Sequence, residues 1–312
     1  MKKLFNYSVM MVVMMTLCVN FSSCSSDKDE DDPNNSNTIA VIDISLDKST
    51  LTLFIGVDYT LIVTVLPGNV TDQTVVWTSS ADTVASVSNG KITAFSAGTA
   101  TITAQVDNQT ATCVVTVLNV PEDGVLVNGV VWAKYNVDAP GTFAANPEDV
   151  GMFYQWNRNI GWSATNPMID SNGATAWDND YYSTSVFWTK ANDPSPAGWR
   201  VPALAEIQTL LDTDKVNRDW INDMKGVMFT DKTTGNSIFL LAAGRRSYYN
   251  GTLHSGGPFN EVGSDGFYWS SSAIEFVETN ACYMFFGSVH AVWNYYGRHN
   301  EGLSVRSVAE TE

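Results

Sequence analysis

The residues with the greatest capacity for chemistry are concentrated in one stretch near the C-terminus, from Gly287 to Glu301. Histidine, arginine, tryptophan and two adjacent tyrosines occur there together with serine and asparagine. Aromatic rings provide a large contact area at low cost in conformational entropy, and the polar side chains add adaptable hydrogen bonds, so the composition is typical of a ligand-binding surface. The ligand contacts predicted in this stretch are Ser288, His290, Val292, Trp293, Asn294, Tyr295, Tyr296, Arg298, His299 and Asn300.

The alternative for this stretch is an aromatic hairpin that packs on its own scaffold. We expect it to be a loop between the last two strands, with Gly297 permitting a turn. Its two histidines, His290 and His299, are expected to be solvated, because the chain holds only one other histidine and no cysteine pair at zinc-binding spacing. No metal or cofactor is therefore predicted.

Catalysis has no identifiable residues in this sequence. A Gly-x-Ser-x-Gly elbow and a phosphate-binding loop are both absent. The acidic run Asp178–Asp180 lacks the glycine and the distal glutamate of a calcium loop. A carboxylate pair such as Glu275 and Glu278 leaves a glycosidase-like mechanism open. We expect the protein not to be an enzyme.

The composition limits the class of protein. Of 312 residues, 44% are hydrophobic and 16% charged, which predicts a globular chain of about two domains. The formal net charge of -16 argues against a nucleic-acid partner, because phosphate backbones are bound by basic surfaces. Nine of the ten tryptophans follow position 120, so the two domains are expected to differ in kind.

The N-terminus has the pattern of a secretory signal peptide over residues 1–23: basic Lys2 and Lys3, then an apolar run too short to span a bilayer. Its end, Phe21–Cys24, resembles a lipobox, which implies that Cys24 is lipidated. Residues 24–38 are predicted to be an acidic tether that cannot fold alone. Acidic residues after a lipidated cysteine resemble the export signal of Bacteroidetes surface lipoproteins, which implies anchoring at the outer face of the outer membrane. A solvated linker without an export role is the alternative.

Residues 39–118 alternate apolar and polar side chains with a period of two, in short runs separated by turn residues. This pattern predicts an antiparallel β-sandwich, with a two-residue hairpin turn at Asn89 and Gly90. Trp77 is expected to be core, and Cys113 is expected to be a buried free thiol, as is Cys282 further along the chain. The segments VWTSS, VASV, GKITA and GTATITA, which begin at residues 76, 84, 90 and 98, closely resemble the bacterial Ig-like group 2 family. The resemblance implies a non-catalytic spacer or adhesion module.

Residues 120–312 combine short strands with long loops. A hairpin is predicted around Asn128 and Gly129, and a helix from Pro202 to Asp212 opens with proline and has apolar residues on one face. Acidic residues near the start of the stretch from Pro147 to Trp156 favour a second, shorter helix. The many tryptophans are expected to fill gaps between sparse elements. Four further strands are predicted over residues 238–243, 267–272, 281–286 and 303–308.

Four ordered motifs in this second part carry a resemblance: GWRVP at 198–202, LLAAGRR at 240–246, GFYWSSS at 266–272 and GLSVRSV at 302–308. They are similar to the Fibrobacter succinogenes major paralogous domain family and to the broader C-type-lectin-like fold. The resemblance implies an α+β domain over residues 120–312 with long loops and about two helices. It also implies that Arg200, Trp269 and Arg306 are scaffold residues.

The same resemblance bears on the site. Calcium-dependent lectins of this fold place an acidic ligand after Trp-Asn, whereas here Tyr295 follows Asn294, and Cys282 lacks the partner cysteine of the formylglycine-generating branch. The branch diversified by retroelements implies variable positions, here Ser288, His290, Val292, Tyr295, Tyr296 and His299.

Together these patterns predict a cell-surface lipoprotein in which an all-β Ig-like sandwich carries a C-type-lectin-like head. The head is expected to bind a glycan or a surface protein without catalysis. A polysaccharide-acting enzyme and a structural subunit or tip of a surface fibre are the alternatives.

Overall fold

The computed structural model describes residues 40–69, 74–256, 259–274 and 278–311, which belong to one compact unit, Ile39–Glu312. The predicted signal peptide, the lipidation site Cys24 and the acidic tether lie outside the described residues, as does Glu275. Within the described ranges, no helix is long and apolar enough to cross a membrane.

The first part of this unit consists of strands, as its period-two pattern predicts. The strands are β1 (Asp43–Leu46), β2 (Thr50–Phe54), β3 (Asp58–Thr60), β4 (Val63–Leu66), β5 (Val76–Ser79), β6 (Ala85–Ser88), β7 (Lys91–Ala94), β8 (Gly98–Val106) and β9 (Gln109–Leu118). A four-stranded sheet has the order β2-β9-β8-β5, a three-stranded sheet the order β3-β7-β6, and β1 pairs with β4. The prediction that the sandwich is antiparallel is wrong for one pair, since β2 runs parallel to β9. Ile92, Ile102 and Val115 are buried between the sheets.

Three local predictions for this part are confirmed. Asn89 and Gly90 join β6 to β7 with φ angles of 49° and 80°, the left-handed pair that a tight hairpin requires. Trp77 is half-buried and packs against the hydrophobic core. Cys113 is a buried free thiol whose pKa is raised by burial.

The second part is also largely β-structure. The elements are β10 (Gly124–Val127), β11 (Val130–Ala133), β12 (Phe153–Tyr154), β13 (Gly161–Trp162), β14 (Trp199–Arg200), α1 (Leu204–Leu210), β15 (Val216–Ile221), β16 (Gly226–Asp231), β17 (Ser237–Leu241), β18 (Ser255–Gly256), β19 (Phe259–Asn260), β20 (Gly266–Ala273), β21 (Asn280–Phe286), β22 (Ala291–Arg298) and β23 (Val308–Ala309). The sheets have the orders β10-β11-β23-β14, β12-β13, β15-β16-β17, β18-β19 and β20-β21-β22.

The α-helix α1 lies within the stretch 202–212 for which a helix is predicted. The Glu206 carboxylate accepts the backbone N–H of Ala203 at 2.7 Å, which satisfies one of the free donors at the helix start. The same carboxylate forms a two-pronged ion pair with Arg200, at 2.6 and 2.8 Å. Ile207 and Leu210 are buried on the inner face.

The prediction of a second α-helix over residues 147–156 is wrong, and α1 is the one α-helix in the described part of the chain. Asp149 accepts the backbone N–H of Asn146 at 2.9 Å, which closes a turn in place of a first helical turn. Gly151 then has a φ of 68°, and its Cα lies so close to the Val137 carbonyl that no side chain would fit. Beyond it, Phe153 and Tyr154 extend as β12.

The sheet β20-β21-β22 lies between two buried clusters. Tyr268, Met284 and Phe286 face the cluster that contains α1, whereas Trp269 and Tyr283 face the other. The strand predicted over 303–308 is only partly formed. Leu303 and Ser304 make isolated bridges to neighbouring chain segments, and the regular strand β23 is confined to Val308–Ala309.

The two parts share an apolar cluster. Phe54 at the end of β2 is buried together with Leu126, Val131 and Trp199 of the second part, and Ala309 completes the contact. An interface built from buried side chains holds neighbouring domains more firmly than a polar linker. The Ig-like part is therefore packed against the C-terminal part.

Phe54→Leu is expected to lower the free energy of unfolding by about 1 kcal/mol, because it removes part of the ring that both parts bury. Denaturant unfolding of the two proteins measures the change. Phe95→Leu is the matched control, since Phe95 is 53% exposed and its replacement should have little effect. Equal effects of the two substitutions would show that the cluster does not contribute to stability.

Candidate functional site

The stretch predicted to bind ligand forms a strand in place of a loop. Residues 291–298 are β22, the edge strand of the sheet β20-β21-β22. Gly297 lies inside this strand opposite Ala281, so the predicted turn at Gly297 is wrong. A side chain at Gly297 would collide with Glu301 and Tyr283, which shows that the glycine permits close packing.

The predicted contact residues differ in exposure and do not form one face. Tyr295 and Tyr296 are 51% and 59% exposed, and Ser288, Asn294 and Arg298 are exposed as well. His290, Val292 and Trp293 are half-buried, and Trp293 packs against the hydrophobic cluster that contains α1. His299 and Asn300 are buried.

Tyr295 rests on a stack of aromatic rings. Its ring centroid lies 5.6 Å from that of Tyr283 and 5.5 Å from that of Phe285. Phe285 stacks in turn on Phe267 at 5.0 Å, and the Arg245 guanidinium lies 4.8 Å from the Phe267 centroid. The packed rings beneath Tyr295 fix its position while leaving half of its surface in solvent.

Beneath this stack lies an ionic network. Arg245 forms a two-pronged ion pair with Glu261, with both distances 3.1 Å, and a further ion pair with Glu301 at 3.2 Å. His254 Nδ1 lies 3.1 Å from Glu261 Oε2. Burial raises the pKa of Glu301, and the neighbouring Arg245 opposes that rise.

This network was not found from the sequence, because its members are separated by up to 56 positions and only Arg245 belongs to one of the sequence motifs, LLAAGRR at 240–246. No group of three or more His, Cys, Asp or Glu residues arranged to hold a metal ion is found in the ranges that the structure describes.

The exposed side chains at the sheet edge form a distinct surface, which we call the aromatic edge and define as Tyr248, Tyr295, Tyr296 and Arg298. The Tyr295 and Tyr296 rings are nearly parallel, with an interplanar angle of 25° and centroids 6.2 Å apart. The Arg298 guanidinium lies 4.4 Å from the centroid of the Tyr248 ring, as in a cation–π contact. The aromatic edge therefore combines flat rings with hydrogen-bond donors.

The end of the predicted stretch has a structural role. His299 is 1% exposed and its ring stacks on Trp156 at 4.5 Å, while its Nδ1 accepts the backbone N–H of Ser183. Burial lowers the pKa of His299 to about 4, so the ring is neutral at pH 7. Asn300 donates a hydrogen bond to the Asn179 carbonyl. The expectation of a solvated histidine is therefore wrong for His299.

The other singled-out residues are mostly packed. The indole N–H of Trp269 donates to the Tyr154 carbonyl at 2.7 Å, and Arg306 is buried with its Nε–H donating to Asn136. Cys282 is a half-buried free thiol whose pKa is raised by burial, in contrast to the fully buried thiol expected. Glu278 is exposed.

Comparison with known proteins identifies the first part of the chain. Residues 40–117 match the family described as bacterial Ig-like domain (group 2), which confirms the resemblance of that segment. A stretch of 79 residues is 39% identical to an uncharacterized protein of Clostridium acetobutylicum, and covers 24% of this chain and 20% of that protein. The match thus spans about a fifth of that relative's length.

Solved structures show only distant likenesses. The S-layer protein rSbsC(31–844) is 19% identical, with 42% of this chain and 21% of that chain covered and a TM-score of 0.25. Domains 5–6 of the S-layer protein SbsC are 12% identical over 86% of this chain and 97% of that chain, with a TM-score of 0.27. Scores this low do not establish a shared fold.

Proposed function

We propose that this protein is a cell-surface lipoprotein whose C-terminal part binds a ligand non-covalently through the aromatic edge. The observation that carries the proposal is the exposure of two neighbouring rings, Tyr295 and Tyr296. Both lie on an edge strand, and more than half of each residue's surface remains in contact with solvent. Rings of this kind supply a large contact area with little entropy to lose.

A glycan is the ligand class that fits the aromatic edge best. Tyrosine rings offer flat apolar faces to the C–H faces of a sugar, and their hydroxyls and the Arg298 guanidinium can bond sugar hydroxyls. The ionic network beneath the rings is bonded within itself, and we assign it to support of the site and not to catalysis. This assignment makes the protein a binding module and not an enzyme.

The setting of the proposed site follows from the sequence patterns. The motifs at 198–202, 240–246, 266–272 and 302–308 support a C-type-lectin-like head of the Fibrobacter succinogenes major paralogous domain family over residues 120–312. The signal-peptide pattern and the lipobox-like Phe21–Cys24 support anchoring through Cys24 at the outer membrane, facing outwards. The Ig-like domain would then hold the head away from the membrane.

The double substitution Tyr295→Ala, Tyr296→Ala is expected to weaken glycan binding at least about tenfold, because both stacking surfaces are lost. Binding of the full chain to a glycan array, followed by titration of the strongest glycan, measures the effect. Tyr182→Ala is the matched control, since Tyr182 is also 59% exposed but is not part of the aromatic edge.

Three outcomes would contradict the proposal. Glycan binding that survives in the double variant would place the site elsewhere, and binding that is lost equally in the control would indicate a non-specific effect. Release of products from a surface polysaccharide would favour the alternative of an enzyme.

A protein interface is the second candidate, and the edge strand favours it. The His299 N–H donates to the Thr279 carbonyl, so by antiparallel alternation the N–H and C=O of Tyr296 point away from β21 towards the open edge. An open edge can pair with a strand of another molecule, as a subunit of a surface fibre would require. Self-association that is lost in the double variant, without glycan binding in the wild type, would favour this structural role.

A further inference from the structure

A cleft of about 310 Å³ lies beneath the turn that joins β21 to β22, between the end of α1 and strand β15. Its floor is apolar, because Leu210, Val216 and Phe229 are all buried members of the main hydrophobic cluster. At its rim, Val289 is 84% exposed. The volume is at the lower end of the range for small-molecule sites.

One cationic side chain lines this cleft. Arg218 on β15 is half-buried, and its Nη1 donates to the carbonyls of Gly287 at 3.0 Å and His290 at 2.8 Å. These two bonds hold the guanidinium against the β21–β22 turn. The other nitrogens of the guanidinium form no hydrogen bond with the residues that the structure describes, so they can bond a ligand.

Arg218 lines an apolar cleft and has no acidic partner in the part of the chain that the structure describes. Arg158, Arg200 and Arg245 each form an ion pair with a carboxylate, and the buried guanidinium groups of Arg246 and Arg306 are bonded to loop carbonyls or to an amide oxygen. Among the ion pairs of the described residues, none involves Arg218. A half-buried cation at the wall of an apolar cleft is best matched by an anionic group carried on an apolar body.

We propose that this cleft binds a small carboxylate with an unbranched apolar chain. The carboxylate pairs with Arg218, whose planar guanidinium suits a planar anion, and the chain lies on the floor formed by Leu210, Val216 and Phe229. Neither the cleft nor its ligand is part of the aromatic edge, so this inference does not depend on the proposed function.

Titration of the full chain with octanoate, followed by calorimetry, tests the inference, with octanol as the neutral probe of equal chain length. Saturable binding of octanoate that is at least about tenfold tighter than that of octanol is expected, because a charge-assisted hydrogen bond is lost in the alcohol. Equal affinity for the two probes, or no binding of octanoate, would overturn the inference.

Two kinds of variant assign the binding to this cleft. Arg218→Gln keeps a donor for the turn carbonyls but removes the charge, and is expected to weaken octanoate binding about tenfold while leaving octanol binding unchanged. Val289→Asp places a negative charge at the rim without disturbing buried contacts, and Val289→Asn is its neutral control. Octanoate should bind less tightly to the aspartate variant than to the asparagine variant, with the difference reduced by salt. Identical affinities of these two variants would show that octanoate binds elsewhere.

Discussion

Replacing Arg246 with methionine is expected to lower the free energy of unfolding by about 4 kcal/mol, since it removes every hydrogen bond of a buried cation. The guanidinium is fully buried and donates to the carbonyls of Ser163, Thr165 and Gly251. No carboxylate in the described ranges neutralises it, and burial lowers its pKa to about 10. Arg246 therefore joins two loops that have little regular structure of their own.

Methionine fills a similar volume, so the expected loss comes mainly from the carbonyl groups that are left without donors. Denaturant unfolding of wild type and variant gives the difference. Arg298→Met is the control, because Arg298 is exposed and its ring contact is a cation–π contact with Tyr248. This substitution should lower the free energy of unfolding by less than about 1 kcal/mol. Similar costs for the two variants would mean that water replaces Arg246 at the loop carbonyls.

The first part of the fold could be predicted because its determinants are local. Alternation with a period of two specifies which side of each strand faces the core, and Asn89 with Gly90 specifies a tight turn through their own conformational preferences. In these segments the burial required by the tertiary structure agrees with the sequence pattern, as the alternating burial along β8 shows. The Ig-like prediction therefore needed no knowledge of long-range contacts.

The second part depends on distant contacts that a local pattern does not reveal. The acidic residues near Pro147 favour a helix start, but the chain there is held by Val137 and by a backbone pair between Tyr154 and Leu303, some 150 positions apart. Gly297 suggested a turn, yet it serves a close approach of Tyr283 and Glu301 to a strand. In both cases tertiary packing decides the local structure.

The composition of residues 287–301 identified the stretch that contains the candidate site, but it could not show which of these residues are exposed. Tyr295, Trp293 and His299 are equally plausible contacts as residue types, and only the sheet determines that Tyr295 faces solvent while Trp293 packs on the core. Regular alternation would place Trp293 and Tyr295, two positions apart, on the same face of the strand. The register shift between Tyr283 and Phe285, where β22 has one extra residue, breaks this alternation, and no local pattern in the sequence reveals it.

Lowering the pH from 7 towards 4 is expected to destabilise the protein through His299. The imidazole is neutral in the folded state because burial lowers its pKa from 6.5 to about 4. Between these two values the unfolded chain binds a proton that the folded chain does not. The contribution of His299 to stability is thus fully present above pH 6.5 and is lost as the pH falls towards 4, by about 3 kcal/mol in total.

The pH dependence of a single variant isolates this effect. Free energies of unfolding of wild type and His299→Gln are to be measured from pH 7 down to pH 4. Glutamine does not titrate, so the variant is expected to be less stable at pH 7 but to lose about 3 kcal/mol less on acidification. Parallel pH profiles of the two proteins would contradict the prediction.

Glu301 changes the free energy of unfolding with pH in the opposite direction to His299. The effect of His299 must therefore be taken as the difference between the wild type and His299→Gln. The Glu301 carboxyl group has a raised pKa in the folded state, so acidification through that range favours folding and masks part of the loss at His299 in the wild type. Both proteins contain Glu301, and its contribution cancels in their difference. The difference between the two pH profiles therefore measures the titration of His299 alone. In the folded protein this ring stacks on Trp156, and its neutral form leaves Nδ1 free to accept the backbone N–H of Ser183.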